Sequence, residues 1–290
     1  MRTRNVMSAF LGGILVFFST TVGAEYPMWT LDFENYNVGD LAEAVGATDR
    51  FQRDNSSEID SSQTIVANPD PDSNNMSSRV VRTFFAQGSS GPTLIPPKHS
   101  SASNGDTIWT QFRVYIPAGF SYWNLGQGNQ HCIDDGPHQG EIKFFRMVKK
   151  QNAGWISLML KRGNVVTSNE VVGSGAAGAA GSLPFEKWTT VEIAVKISSS
   201  GNGYIRVWIN GANTYDWSGS TTDGSSMQDH SLLWSNWNCR VAQDQYAYID
   251  DMVIATSNSG SPPNRDSQGR LFIGPAINAP LPPNSIQQVQ

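Results

Sequence analysis

Charge is scarce in this chain. Only 16% of its 290 residues are charged, below the roughly 25% of an average soluble domain. Because 39% are hydrophobic and 10% aromatic, the chain can still form a core. Twenty Lys and Arg against 25 Asp and Glu give a net charge of -5 without a basic block. We therefore expect no nucleic-acid partner and no binding to a membrane surface.

Long hydrophobic runs are also missing. The apolar run Ala9–Phe18 is about half of the roughly 20 residues that span a bilayer. It follows Arg2 and Arg4 and precedes Val22-Gly23-Ala24, a pattern typical of a secretory signal peptide, with a retained anchor as the alternative. We therefore predict a secreted protein, extracellular or periplasmic. The predicted divisions are a signal peptide at residues 1–24, one β domain at 25–255 and a Pro/Ser/Asn-rich tail at 256–290. We expect the tail to be an extended strap or a disordered end.

The chain has two cysteines, Cys132 and Cys239. Export to an oxidising compartment favours a disulfide between them, and two free thiols are the alternative. The bond would close a loop of about 100 residues, which the chain-entropy model values at about 4 to 5 kcal/mol. It would also bring His131 close to the segment 234–237.

Helical periodicity is nearly absent, and the dominant period is two. In the segment 108–116, apolar residues alternate with Trp109, Gln111, Arg113 and Tyr115, which predicts a strand with one apolar face and one polar and aromatic face. Other segments show the same kind of pattern. Further strands are predicted over residues 29–33, 79–85, 142–148, 155–160, 189–197, 205–209, 232–237 and 246–254.

Turn residues punctuate these strands. Asn210-Gly211 predicts a tight hairpin into a strand over 213–217. The run Gly173–Ser182 lacks the ending of a phosphate-binding loop, so we interpret it as a flexible loop. A turn or two of helix is expected only around Val38–Ala44. The fold class predicted is all-β, a two-sheet antiparallel β-sandwich.

Five segments of the sequence are more specific indicators of the fold. They are Leu31-Asp32-Phe33-Glu34, 108–120 followed by Trp123, Lys143-Phe144-Phe145-Arg146-Met147, the pair 188–196 and 203–211, and Tyr248-Ile249-Asp250-Asp251-Met252-Val253-Ile254. Together they resemble the concanavalin A-like lectin/glucanase jelly roll, especially its secreted polysaccharide lyases and LamG-like relatives. The resemblance covers roughly residues 29–255. It implies a concave face that holds a polysaccharide, with no organic cofactor.

Candidate site residues follow from the chemistry of β-elimination. Cleaving a uronate polymer requires a group that neutralises the carboxylate, a base for the C5 proton and an acid for the leaving 4-oxygen. Aromatic faces stack on the C–H face of a pyranose. The candidates are Arg113, Gln111 and Lys143 for the carboxylate, Tyr115 and His131 for the proton transfers, and Trp109, His138 and Trp237 for sugar contacts.

Other activities have less support in the sequence. Two motifs of the best-known alginate lyase branch, Gln-Ile/Val-His and Arg-Thr/Ser-Glu-Leu-Arg, are absent, and Asn129-Gln130-His131 is the nearest approach. The segment Glu58–Gln63 imitates a glucanase motif, but Gln63 occupies the position of the proton-donating Glu. We therefore favour a lyase, with a non-catalytic lectin-like binding or adhesion module as the alternative. We expect a monomer.

A structural calcium ion is a further expectation. Asp32 and Glu34 lie on the first predicted strand, and Asp250 and Asp251 lie on the last one. These strands are neighbours in folds similar to this one, so their hard oxygen ligands would clamp the two ends of the domain together. The alternative is that the Asp pair is solvated or caps a turn.

Overall fold

The regular secondary structure of the described residues consists of β-strands. The computed structural model describes residues 28–40, 52–53, 63–70, 77–87, 94–95, 101–120, 141–149, 155–161, 164–169, 178–224, 227–233, 243–257, 262 and 264–274. The strands are β1 (Met28–Leu31), β2 (Gln52–Arg53), β3 (Gln63–Ala67), β4 (Arg79–Phe85), β5 (Leu94–Ile95), β6 (Ser101–Ala102), β7 (Thr107–Tyr115), β8 (Glu141–Lys149), β9 (Trp155–Lys161), β10 (Asn164–Asn169), β11 (Gly178–Ser182), β12 (Thr189–Lys196), β13 (Gly203–Ile209), β14 (Ala212–Gly219), β15 (Met227–Leu233), β16 (Gln245–Thr256), β17 (Asn264–Arg265) and β18 (Leu271–Phe272).

These strands form two antiparallel sheets of eight strands each and a small hairpin of β17 and β18. The first sheet has the order β14-β13-β12-β7-β16-β4-β3, and β1 also pairs with β16. The second has the order β11-β10-β9-β8-β15-β5-β2, and β6 also pairs with β15. The predicted all-β, antiparallel class is therefore confirmed.

The main core lies between the two sheets. Ile108, Phe112 and Val114 of β7 belong to it, together with Ile156 and Leu158 of β9. All five are at most 1% exposed, and each contributes about 1.5 to 3 kcal/mol of burial free energy. The period-two pattern of β7 thus identifies the face that packs on the second sheet.

Two local predictions have different outcomes. The Asn210-Gly211 hairpin is confirmed, because both residues have positive φ, 50° and 78°, and connect β13 to β14. The flexible loop is wrong for residues 178–182, which form β11. There the absence of a side chain lets Tyr215 approach, since a Cβ on Gly178 would lie 2.8 Å from its Cε2 atom.

The segment expected to be helical begins as a turn. Gly39, in the turn, has a positive φ of 99°, and the Asp40 amide donates to the Asn37 carbonyl at 3.1 Å. Residues 41–44 lie outside the described residues. No α-helix occurs in the ranges that the structure describes.

β16 changes partner along its length. Residues 245–249 pair with β4, whereas residues 252–255 pair with β1. The register against β7 shifts between Asp250 and Val253, and Asp251 there has a left-handed φ of 45°. A bulge of this kind redirects the side chains around it. The first and last predicted strands are therefore neighbours, as the resemblance implies.

Candidate functional site

The predicted polar and aromatic row of β7 lies on the face of the first sheet turned away from the core. Its first member, Trp109, is only 2% exposed, because residues 264–274 lie across it. We call these residues the C-terminal strap. Trp109 Nε1 donates to the Leu271 carbonyl at 3.2 Å, and Phe272 stacks on Trp208 with ring centroids 5.8 Å apart. Trp109 therefore contacts the strap.

Gln111, the second member, also binds the strap. Its Nε2 donates to Glu192 Oε2 at 3.0 Å and to the Gly274 carbonyl. Glu192 in turn accepts from the Ile273 amide at 2.7 Å and the Gly274 amide at 3.3 Å. Burial raises the pKa of Glu192 to about 7, although these hydrogen bonds act to lower it. In the sequence, Glu192 is one polar position of an alternating strand, whereas in the structure it binds the backbone of the strap.

A charged cluster fixes the outer side of the strap. Asp266 accepts from Trp208 Nε1 at 3.0 Å and from Arg270 Nε at 2.7 Å. Burial acts to raise the pKa of Asp266, but hydrogen bonds from Arg270, Trp208 and Gln268 lower it to about 2. Arg270 also reaches Asp216 of β14 at 2.7 Å. The strap is thus held at both its apolar and its charged side.

Arg113, the third member, pairs with the bulge of β16. Its Nη1 lies 3.3 Å from Asp251 Oδ2, and the arginine is 7% exposed. Burial raises the pKa of Asp251, Arg113 lowers it, and the charges of Asp32 and Glu34 raise it further, so the net shift is upward. The positive charge of Arg113 therefore compensates part of the negative charge of Asp251, Asp32 and Glu34.

The same carboxylates were the predicted calcium ligands. Glu34 Oε1 already accepts from the amides of Ser78 at 2.6 Å and Arg79 at 3.1 Å. Asp250 is fully buried, and Asp251 is paired with Arg113. Within the described ranges, no group of three or more His, Cys, Asp or Glu side chains is arranged to hold a metal ion. The calcium site stays a prediction without support from this geometry.

Tyr115, the fourth member, lies among other rings beyond the strap. Its ring centroid is 5.5 Å from that of Trp188 and 5.7 Å from that of Tyr248. Burial raises the pKa of the Tyr115 phenol, and the charges of Asp70 and Glu186 raise it further. This end of the outer face is aromatic and partly exposed.

The remaining candidates belong elsewhere. Lys143 lies on β8, which is in the second sheet, whereas β7 is in the first. The structure therefore does not bring the β7 row and β8 together on one sheet. His131, His138 and Trp237, like Cys132, Cys239 and the signal segment 1–24, lie outside the described residues.

A family model for polysaccharide lyases matches residues 28–253, a range that includes the strands of both sheets up to the last residues of β16. The chain belongs to the polysaccharide lyase family. No curated protein matches it in sequence. The resemblance seen in the sequence is therefore confirmed at the level of the family.

Solved structures of lyases are similar to this chain. Alginate lyase Aly36B has 13% identity over 79% of this chain and 96% of its own, with a TM-score of 0.54. A variant of that enzyme in complex with alginate tetrasaccharide has 14% identity, the same coverage and a TM-score of 0.55. An endo-β-1,4-glucuronan lyase from the fungus Trichoderma reesei has 11% identity over 78% of this chain and 94% of its own, with a TM-score of 0.48. The first two matches identify the architecture of this polysaccharide lyase as that of a jelly-roll lyase.

No helix within the described part of this polysaccharide lyase is long and apolar enough to cross a membrane. The structure also adds residues on the outer face of the first sheet that were not selected from the sequence. Arg82 and Phe84 of β4 and Tyr246 and Tyr248 of β16 extend the aromatic end around Tyr115. The sequence could have indicated these four residues, because they occupy alternate positions in two strands that were correctly predicted.

Proposed function

We propose that this polysaccharide lyase cleaves a uronate-containing polymer by β-elimination. The observation that carries the proposal is the family match over residues 28–253. Alginate is the first polymer to test, because the matched Aly36B structures are those of an alginate lyase, one of them with an alginate tetrasaccharide. Glucuronan and glycosaminoglycans complete the panel.

The reaction breaks two bonds and requires no redox partner. A cationic or amide group neutralises the uronate carboxylate, which acidifies the C5 proton. A base removes that proton, and the electron pair of the C5–H bond forms the C4–C5 double bond. The C4–O bond breaks with its electrons on oxygen, which an acid protonates. The products are a new reducing end and a chain ending in an unsaturated uronate.

We further propose that this chemistry takes place on the second sheet. Position 143 of β8 pairs with position 159 of β9, and the neighbouring Leu158 lies in the core. By strand alternation, positions 143 and 159 belong to the face turned away from the core. Lys143 would neutralise the uronate carboxylate there, and His131, in the segment that leads to β8, would act as base or acid.

The first sheet offers less for catalysis. Gln111 bonds to the strap and to Glu192, and Arg113 pairs with Asp251. Using either group on a substrate would require breaking contacts that stabilise the fold. The alternative is a catalytic site on the first sheet that uses Arg113 and Tyr115, and the experiment below distinguishes the two sites.

The deciding experiment follows the ultraviolet absorbance of the unsaturated uronate. Lys143→Ala and His131→Ala should lower kcat by about 100-fold or more, whereas Arg113→Lys and Tyr115→Phe should retain most activity. The reverse result would move the site to the first sheet. Binding without product on every polymer of the panel would instead establish the lectin-like alternative.

The proposal includes export and a disulfide. Mass spectrometry of the protein secreted by an expressing host should find Glu25 as the first residue and a bond between Cys132 and Cys239. A mature chain that retains residues 1–24 would contradict the signal peptide. We also propose that the enzyme acts as a monomer, which sedimentation measurements would test.

A further inference from the structure

A second aromatic feature lies on the outer face of the first sheet, beyond the strap. Arg82 is paired with Tyr248 across β4 and β16, and Tyr248 with Tyr115 across β16 and β7. In the next row, Phe84 is paired with Tyr246. Paired residues in an antiparallel sheet share a face. We call this group, with the adjacent Trp188, the aromatic surface.

The rings of the aromatic surface are close together but not fully buried. Tyr246 is 39% exposed, and its centroid is 5.1 Å from that of Phe84. Tyr115 lies within 5.7 Å of both Tyr248 and Trp188. A row of partly exposed rings across adjacent strands is suited to stacking on the C–H faces of successive sugars.

Arg82 supplies a positive charge at the β4 end of this surface. Its Cζ atom lies 4.9 Å from the centroid of the Tyr246 ring. The Nε atom of Arg82 is buried without a hydrogen-bond partner. The Arg82 side chain forms no ion pair with a described acidic residue. By contrast, Arg206 pairs with Asp216 at 3.0 Å. The charge of Arg82 is therefore available to an acidic ligand.

The charges around this surface would also orient an acidic ligand. Asp70 and Glu186 lie near Tyr115, where both act to raise the pKa of its phenol. They would repel a carboxylate at that end, whereas Arg82 attracts one at the other. A polyuronate would therefore place a carboxylate at Arg82 and its sugar faces on Tyr246 and Phe84.

We propose that the aromatic surface binds a uronate-containing polysaccharide without cleaving it. It lies on the first sheet, whereas the proposed catalytic position 143 lies on the second, so the two sites occupy opposite faces of the sandwich. The identity of the polymer rests on the proposed function. Such a site holds the enzyme on a gel or wall polymer while the other face reacts.

The test measures retention on immobilised alginate in the cold, where turnover is slow, for Tyr246→Ala, Arg82→Ala and Arg82→Lys. Tyr204→Ala is the matched control, because Arg206 also stacks on that ring, at 3.9 Å, but is already ion-paired. We expect about tenfold weaker retention for the two alanine variants, partial recovery with lysine, and no change in the control. Thermal melting of each variant confirms that it is folded.

Retention of Tyr246→Ala and Arg82→Ala equal to that of the parent protein would overturn the inference. Equally strong retention on a neutral glucan would overturn the role assigned to Arg82. Added salt should weaken the binding of the parent protein more than that of Arg82→Ala. If the protein releases no product from any polymer but alginate retention still depends on Tyr246, the proposed lyase activity fails and this inference stands.

Discussion

Asp251 Oδ2 lies 3.3 Å from Arg113 Nη1, and this ion pair joins the bulge of β16 to the middle of β7. The charges of Asp32 and Glu34 act on Asp251 as well and, like its burial, raise its pKa. The positive charge of Arg113 therefore compensates part of the repulsion among these carboxylates. The pair thereby holds the bulge of β16 against β7.

Arg113→Ala should destabilise the fold for that reason. We expect a loss of about 1 to 3 kcal/mol in the free energy of unfolding, since the aspartate is still partly solvated. Urea denaturation measures it. Asp251→Asn in the same chain should recover part of the loss, because it removes the uncompensated charge. Arg206→Ala, which breaks the more exposed pair with Asp216, is the control, and an equal loss there would contradict the assignment.

Stability should fall between about pH 4.5 and 7 because of Glu192. Its pKa is about 7 in the folded protein, against an ordinary value of 4.5. In this window the folded state binds more protons than the unfolded state, so the free energy of unfolding decreases as pH rises. The decrease from this group reaches at most about 3 kcal/mol. Denaturation of the parent protein and Glu192→Gln at several pH values should show a flatter profile for the variant. Identical slopes would refute the shift.

Phe272→Ala should loosen the C-terminal strap. The ring is 6% exposed and stacked on Trp208, so we expect a loss of about 3 to 5 kcal/mol. Tryptophan emission should shift to the red, because Trp109 and Trp208 lose their cover. Arg265→Ala changes an exposed position of the same segment and should cost less than about 0.5 kcal/mol. A native emission spectrum in Phe272→Ala would show that the strap does not depend on this ring.

The predicted disulfide should make a measurable contribution to the stability of the protein. Cys132 and Cys239 should not react with a thiol reagent in denaturant until a reductant is added. Reduction should lower the free energy of unfolding by about 4 to 5 kcal/mol, if the chain-entropy model holds. Two thiols that react at once in the untreated protein would exclude the bond.

Alternation predicted the β7 row but not what covers it. An outward Trp109 has the same local pattern whether it faces solvent or another segment, and the strap that covers it lies far along the chain. In the sequence, the one indication of a buried contact is the apolar triplet Leu271-Phe272-Ile273 within a polar tail. The separation of Lys143 from the row was likewise hidden, since consecutive strands are usually neighbours, whereas β7 and β8 belong to different sheets.

The strap has a consequence for how the chain is made. Its residues leave the ribosome after all the described strands of both sheets, so Trp109 and Trp208 stay uncovered until the strap itself has been made. A chain cut short before residue 264 would expose this apolar strip to proteases and to other copies of itself. Covering of this apolar strip therefore depends on the strap, which is made and docked last.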